Sequence, residues 1–477
     1  MSGGFRITSA LWDKIHHFAS FPQTGVSLQQ MVLFGQNPNQ GTLLKASQFL
    51  HEELPVRLAH RVKELDELPH HLSKMPSIIK VKNWYAQSFE ELIKFPPISL
   101  PPSLGSLLNG PRSEEAQLPE PTTNPSLEFM MFVDDHANIA FPKLMTGQPN
   151  GATMGLDTTA AGASMVDGTP IQNGFNRVKL RVPMEKRYFA SPLPEIKWPP
   201  EVRDYNSNFT RMLEAIKTRH DPTVTTVAQG VLEWKRSQRA RHIGLDIQQW
   251  LDRFYLSRIG IRFLIGQHVA LNQQEPHPDY VGIICTNANV HDIVQEAIEN
   301  ARFVCEEHYA LLSSPPVQLI CPQNLTFPYV PGHLSHIIFE LLKNSLRAVV
   351  ERHGERKNGT IDEPQTGFPP IKVIVVEGKE DITIKISDEG GGIQRSAMGL
   401  IWTYMYTTMN RTPEEALDDN YQSDFRAPMA GFGYGLPLSR LYARYFGGDL
   451  RLISMDGFGT DVYIHLNRLS STREPLP

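Results

Sequence analysis

What constrains this chain most is a change of apolar period part-way along it. From residue 11 to about 95, and again up to about 272, apolar residues recur every three or four positions, as in ALWDKIHHFAS, LLKASQFLHEELPVRLAHRVKELDELP, SIIKVKNWYAQSFEELIKF, YNSNFTRMLEAIKTRH, VTTVAQGVLEWKRS and IQQWLDRFYLSRIGIRFLIGQHVAL. That spacing lines one face of a helix with apolar side chains, and helices so striped bury against one another as a bundle. Pro22, Pro69 and Pro96 punctuate them. From about 281 the texture differs. Helical spacing persists in VHDIVQEAIENARFVCEEHYA, but IKVIVVEG and DITIKISDEGGGI alternate in twos and are joined by a tight EGKED turn. After the helix LPLSRLYARYFGG, DLRLISM and TDVYIHLNRL read as further strands. This is the pattern of a mixed or antiparallel sheet with helices on one face. The expectation is a two-domain α+β protein, with a four-helix-bundle-like domain over 1–275 and an α/β sandwich over 276–470.

Between about 97 and 200 neither period holds. The stretch is rich in Pro, Gly, Thr, Ala, Ser and Met, as in GQPNGATMGLDTTAAGASMVDGTP, and is expected to be a long, largely disordered insertion. On that basis residues 111–180 should be removable without loss of folding or nucleotide binding. The rest of the 477 residues, 40% hydrophobic at a mean hydropathy of -0.29, suffice for a real core. No apolar run approaches the roughly 20 residues that cross a bilayer, so no membrane role is expected. A net charge of -5 gives no sign of nucleic-acid binding. Cys285, Cys305 and Cys321 lie far apart without C-x-x-C spacing, which fits a reducing compartment and not a zinc or disulfide framework.

The stretch FELLKNSLRAVVE carries the chemistry. Glu340, Lys343, Asn344 and Arg347, at offsets of zero, three, four and seven, share one helical face, while Ile338, Leu341, Leu342, Leu346 and Val349 fall on the other. A solvated amphipathic helix explains most of this. A mid-helix Asn is the exception, since its amide competes for backbone hydrogen bonds unless something else uses it. Three glycine-bearing segments follow: DEGGGI, with Asp388 closing a strand and Gly390, Gly391 and Gly392 after it; GFGYGL, from Gly431 through Phe432, Gly433, Tyr434, Gly435 and Leu436 into a helix; and GFGTD before the last strand. Glycines let a backbone approach a bound group, and helix-start amides bind phosphate. GFGYGL does not meet the G-x-G-x-x-G dinucleotide pattern. There is no P-loop, and the H-R-D and D-F-G set of ordinary protein kinases is missing.

The order of these motifs, E-x-x-K-N-x-x-R, D-x-G-G-G, G-x-G-x-G-L and G-T-D, resembles the Bergerat (GHKL) ATP-binding fold of histidine kinases, topoisomerase ATPases and heat-shock chaperones. FELLKNSLRAVVE, ITIKISDEGGGI, APMAGFGYGLPLSRLYARYFGGDLRLISMDGFGTD, QFLHEELPVRLAHRVKEL, VAQGVLEW and LDRFYLSRIGIRFL narrow it, being similar to the mitochondrial pyruvate dehydrogenase kinase family over all but the 97–200 insertion. The resemblance implies a serine kinase that uses Mg-ATP to inactivate the decarboxylase subunit of the pyruvate dehydrogenase complex. Glu340 would be the general base, tuned by His336 one turn earlier. Asn344 would hold Mg2+ against the ATP phosphates, with K+ near the nucleotide. Asp388 would accept from the adenine amino group with Thr460 nearby. Thr407 and Thr408, with Gly390, Gly392, Arg347 and the GFGYGL residues, would line the nucleotide, and residues 409–430 would form a mobile lid. Lys343 and Arg347 either steady phosphate or pair with Glu340 and Glu351.

The resemblance also implies a pocket in the bundle for pyruvate-like carboxylates, built from Leu58, Tyr85, Ser88, His220, Ser257, Arg258, Ile261 and Arg262. A salt-bridged bundle interior explains those residues equally well. Where animal members place an additional Arg before the His, Lys217 is the nearest position here, a departure that leaves inhibitor affinity open. The chain stops at STREPLP without the Asp-Trp tail of animal members, as in the short-tailed plant form. Dimerisation through the ATP-domain sheets and docking of the acetyltransferase's lipoyl domain on the bundle are expected, the latter without help from a tail. Localisation to the mitochondrial matrix follows from the family alone, because Met1 to Ser20 carries only Arg6 and Lys14 as basic residues. Three alternatives stay open: a branched-chain 2-oxoacid dehydrogenase kinase with the same site, a non-catalytic ATP-gated scaffold, and a sensor-type kinase phosphorylated on His51.

Overall fold

A computed structural model describes residues 5–36, 38–101, 104, 121–125, 198–238, 243–275, 277–357, 360–407 and 433–476. Local chemistry sets the helix starts. Thr8 caps α1 (Ser9–Phe18), its hydroxyl accepting from the Leu11 amide at 3.2 Å. α2 (Leu28–Gly35) opens on a capping box in which Ser27 and Gln30 each accept from the other's amide at 3.2 Å. Asn39 caps α3 (Gln40–Asp66). α4 (Pro76–Lys94) and α5 (Pro200–Arg219) begin on proline, whose missing donor is harmless in a first turn. α6 (Thr223–Gln238) and α7 (Leu245–Gln273) complete the helical part. α3 packs against α1, α4, α5 and α7, and α6 packs on α4. Pro55 lies inside α3 without ending it. α2 was not evident from the sequence, since eight residues are too few to display a period.

The second part contains a five-stranded sheet ordered β3 (Val317–Ile320), β7 (Ile371–Glu377), β8 (Asp381–Asp388), β10 (Gly459–Asn467) and β9 (Asp449–Met455). β3 and β7 run parallel and the other neighbours antiparallel, so the sheet is mixed. A small antiparallel sheet joins β1 (Tyr280–Val281), β2 (Ile284–Asn289) and β4 (Thr326–Tyr329), and β5 (Glu355–Lys357) pairs with β6 (Thr360–Asp362). α8 (Val290–Tyr309), α9 (Pro331–His353) and α10 (Gly435–Tyr445) form the helical layer. α8 packs on α9, α9 on β8, and α10 on α9, β9 and β10. Val373, Val375, Ile382, Ile384, Ile386, Val462, Ile464 and Leu466 fill the core beneath them.

Two findings qualify the expected division of the chain. Pieces of the 97–200 stretch are packed: Ile98, Leu100 and Trp198 cover Leu44 and Val202, and Asn124 is buried. The rest of that expectation lies outside the described residues. Residues 470–474, at the far end of the sheet domain, run back against the bundle, where Arg473 bridges to Ser27 and Thr472 to Thr122. The two parts therefore share an interface that domain limits drawn in chain order do not convey.

Candidate active site

α9 carries its polar residues in two environments. Glu340 and Lys343, expected on a face open to chemistry or solvent, are 8% and 2% exposed, and Lys343 Nζ lies 2.8 Å from Glu340 Oε1. Asn344, the next residue, is exposed. Arg347 pairs with Glu351 at 2.9 Å. The ion pairs named from the spacing are thus present, the first inside the protein and the second at its surface. His336 lies one turn before Glu340 with its ring 5.0 Å from Tyr442 of α10. Gly435, the first residue of α10, stands against the other carboxylate oxygen: a β-carbon there would be 2.4 Å from Glu340 Oε2. The helix start is thereby aimed at an anion, the favourable end of its dipole.

Asp388 closes β8 and is 6% exposed. Ser345 of α9 donates to its Oδ2 at 2.8 Å and the Gly390 amide to its Oδ1 at 3.0 Å, while Thr460 faces it across β10. Burial raises the Asp388 pKa above the ordinary carboxylate value, against the lowering pull of Gly390, Ser345 and Thr460. Ser345 went unnoticed in the sequence because its role lies in a contact 43 residues away. The glycines are needed for close approach. Gly390 packs against Ala348 of α9, and Gly392, at φ 72°, has the Met455 carbonyl where a β-carbon would lie. Gly391 and the 457–458 turn exchange backbone hydrogen bonds at 3.0 and 2.8 Å, so DEGGGI and GFGTD form one interlocked edge.

Thr407 is half-buried at the end of the 403–407 segment. Gly433, at φ 76°, meets the Tyr406 backbone, and Tyr434 is buried among Tyr255 and Tyr404. Leu436 packs on the core. Thr408, Gly431, Phe432 and the proposed lid at 409–430 lie outside the described residues.

The site combines a buried carboxylate paired with lysine, an open amide one turn away and a second buried carboxylate at a glycine-lined strand end. A family model described as Histidine kinase-, DNA gyrase B-, and HSP90-like ATPase matches residues 329–470, and one described as Mitochondrial branched-chain alpha-ketoacid dehydrogenase kinase matches residues 25–285. Over 470 residues the chain is 43% identical to pyruvate dehydrogenase (acetyl-transferring) kinase, mitochondrial, of Schizosaccharomyces pombe, covering 98% of each. It is 37% identical to the Arabidopsis thaliana protein of that name, covering 98% of this chain and 97% of the relative. To isozyme 3 of Homo sapiens it is 33% identical, covering 97% and 88%. The chain belongs to the mitochondrial pyruvate dehydrogenase kinase family.

In this pyruvate dehydrogenase kinase family member the bundle residues singled out from the sequence also converge. Tyr85 stacks on His220 with ring centroids 4.3 Å apart, and Ser88 Oγ lies 3.0 Å from His220 Nε2. Arg262 pairs with Asp221 at 2.6 Å, and Arg258 reaches the Asp221 carbonyl at 3.4 Å. Leu58 and Ile261 are buried, and Ser257 Oγ is buried without a partner among the described residues. Burial pushes His220 down to about 3, the Arg219, Arg258 and Arg262 guanidiniums acting in the same sense. Arg219 is one of the cations beside the histidine. It donates to Ser88 Oγ at 2.7 Å and pairs with Glu91 at 2.7 Å. It directly precedes His220 in the sequence. His51 has its Nε2 3.1 Å from the Leu92 carbonyl and its ring among Phe95 and Phe209, a packing role that argues against phosphate transfer from it.

Proposed function

We propose that Glu340 is the general base in transfer of the ATP γ-phosphoryl group to a serine of the decarboxylase subunit, which switches the pyruvate dehydrogenase complex off. The chain is a pyruvate dehydrogenase kinase and uses ATP. The observation that carries the residue assignment is the 2.8 Å bond from Ser345 to Asp388, which ties the adenine-reading carboxylate to the helix that bears Glu340 and Asn344. Nucleotide and base are then held by one rigid unit, the positioning that phosphoryl transfer depends on. The serine oxygen bonds to the γ-phosphorus as the bond to the β–γ bridging oxygen breaks; its proton passes to Glu340 and ADP leaves. Lys343 holds one carboxylate oxygen and the start of α10 faces the other, so the base has a fixed orientation.

Mg2+ fits Asn344 as a single hard oxygen ligand open to solvent, and no cluster of three His, Cys, Asp or Glu competes for a metal among the described residues. An ion carried by phosphates and water needs no more from the protein, and it supplies neutralisation of the transferring charge. K+ near the nucleotide and a matrix location are expected on family grounds; the relatives are named mitochondrial, and no helix among the described residues is long and apolar enough to cross a membrane. A second copy would cover the outer sheet face, where Val376, Ile453 and Met455 are exposed beside the Lys385–Asp461 pair. The lipoyl arm would enter the apolar pocket lined by Met31, Phe34, Phe49, Leu50, Leu264 and Leu271. A pyruvate-like carboxylate would meet Arg258, Arg262 and Arg219 around His220.

Incubation with Mg-ATP and each purified 2-oxoacid dehydrogenase complex, followed by identification of the modified residue, tests the reading. Glu340→Gln should bind ATP normally and transfer about 10²–10⁴-fold more slowly. Near-normal phosphoserine from that variant removes Glu340 as base, and phosphate on the branched-chain complex alone selects the alternative kinase.

A further inference from the structure

A densely shared buried carboxylate lies at the opposite end of α10 from Glu340. Glu474 is 1% exposed, and its carboxylate receives Arg57 Nη1 at 3.0 Å and the Val26 amide at 3.1 Å, with Arg57 Nη2 and the Tyr445 hydroxyl as further donors. Arg57, on α3, is 1% exposed and also bonds Glu53 at 2.8 Å and the Thr24 carbonyl at 2.7 Å. α7 contributes Gly260 to this place: a β-carbon there would stand 2.7 Å from the Tyr445 hydroxyl, 2.9 Å from Arg57 Nη1 and 3.0 Å from Glu474 Oε2. Three elements are thus shaped around one carboxylate.

Tyr445 is the last residue of α10. The same end is gripped twice more. Asn124 donates to the carbonyls of Arg444, Tyr445 and Arg473 at 3.2, 3.4 and 3.0 Å, and Thr472 covers Gly447 so closely that a β-carbon on the glycine would meet it at 2.7 Å. The first residue of α10 is Gly435, at the Glu340 carboxylate. Eleven residues of helix span about 16 Å and move as a rod. A shift at the Tyr445 end is therefore carried to the Gly435 end.

We propose that residues 470–474 are a latch between the bundle and the kinase domain, and that Glu474 is a positioning residue which, through α10, fixes the seat of the Glu340 carboxylate. The bundle, by way of Arg57, thereby sets the geometry of phosphoryl transfer without touching nucleotide or substrate. The inference rests on Glu340 being the base.

Tyr445→Phe and Glu474→Gln in the full chain test it, because the first removes only the hydroxyl that links α10 to the latch. Four quantities are read at a temperature well below each unfolding midpoint: kcat, KM for the protein substrate, ATP affinity, and amide hydrogen exchange in the first turn of α10. Both variants should lose about 5- to 20-fold in kcat, with ATP affinity and KM within about twofold of the parent and with faster exchange near Leu438. Glu474→Asp, which keeps the charge, should recover part of the loss. A lowered midpoint with kcat and exchange unchanged in Tyr445→Phe makes the latch a stability element only and overturns the proposal, even if Glu474→Gln fails to fold. Faster exchange with unchanged kcat, alongside full activity in Glu340→Gln, locates the failure in the choice of base. Faster exchange with unchanged kcat while Glu340→Gln is inactive overturns the proposal itself.

Discussion

Gly435 and Glu340 touch across the start of α10: a β-carbon on the glycine would lie 2.4 Å from the carboxylate's Oε2. The other oxygen is already taken by Lys343 at 2.8 Å, so the carboxylate cannot step aside without losing that pair. Gly435→Ala keeps the backbone amide for phosphate but displaces the base. Transfer should fall at least about tenfold, since a 1 Å misplacement has large effects on rate, while ATP affinity stays near that of the parent. Calorimetry and a phosphoserine assay on the same preparation check both halves; full activity would show that the base does not sit where its carboxylate now lies.

Asp388→Asn separates recognition from stability. Burial raises the Asp388 pKa, so ionisation in the folded state is disfavoured, and the stability the group contributes in its protonated form is lost as pH rises through the folded value. At neutral pH the carboxylate is therefore a burden on the ligand-free protein. The amide variant should unfold at the same temperature or higher, yet, under the proposed adenine contact, bind nucleotide about 100-fold or more weakly, because one of the two accepting oxygens becomes an NH2 group that cannot accept from the adenine amino group. A variant both less stable and still able to bind would contradict each part.

Acid should destabilise both parts of the chain through three buried histidines, two in the bundle and one on α9. Burial lowers His220, His268 and His333 to about 3 each, from an ordinary value near 6.5. Below about pH 6.5 the unfolded chain takes up protons that these three folded histidines refuse, so stability present above that value drains away toward pH 3. The slope is about 1.4 kcal/mol per pH unit for each histidine, or about 6 kcal/mol for the three between pH 6.5 and 5. Denaturant unfolding at pH 7.5, 6 and 5 measures it. His268→Gln should remove about a third of the slope, and an unchanged slope would assign the acid sensitivity to other groups.

Asn124 tests the stretch that composition marked as expendable. Its side-chain amide meets three carbonyls, two of them at the end of α10. Asn124→Ala leaves those carbonyls short of a donor and should cost about 1–3 kcal/mol. Deletion of 111–180 removes Asn124 as well and should destabilise at least as much. A loss below about 0.5 kcal/mol in the point variant would return the whole stretch to the expendable class.

These cases show what kind of fact the sequence carries. Helices α3, α4 and α7 and strands β7, β8 and β10 were legible because burial repeats with the period of the element itself. Glu340, Asn344 and Asp388 stood out through the order of their motifs and its resemblance to the GHKL fold, each motif being weak by itself. Ser345 beside Asp388, Gly435 beside Glu340 and Arg57 beside Glu474 were not visible, since each pair joins segments whose neighbourhood is decided by packing. The burial of Lys343 was missed for a related reason: a charged residue at helical spacing looks solvated until the neighbouring α10 is in place. Asn124 was hidden by its setting, one of a few anchors in a region without period.

The bond between the Val26 amide and Glu474 joins positions 448 residues apart, and its consequence is for the order of folding. Arg57 and Glu53 are closed off from water, at 1% and 0% exposure of their side chains, in a socket to which residue 474 supplies one wall. A bundle emerging first from the ribosome holds that guanidinium half-matched until the sheet and α10 have been made and brought back to it. Contacts of such long range are formed late and slowly. The two halves then settle together, and heat or denaturant should take them apart in one transition, not one domain at a time.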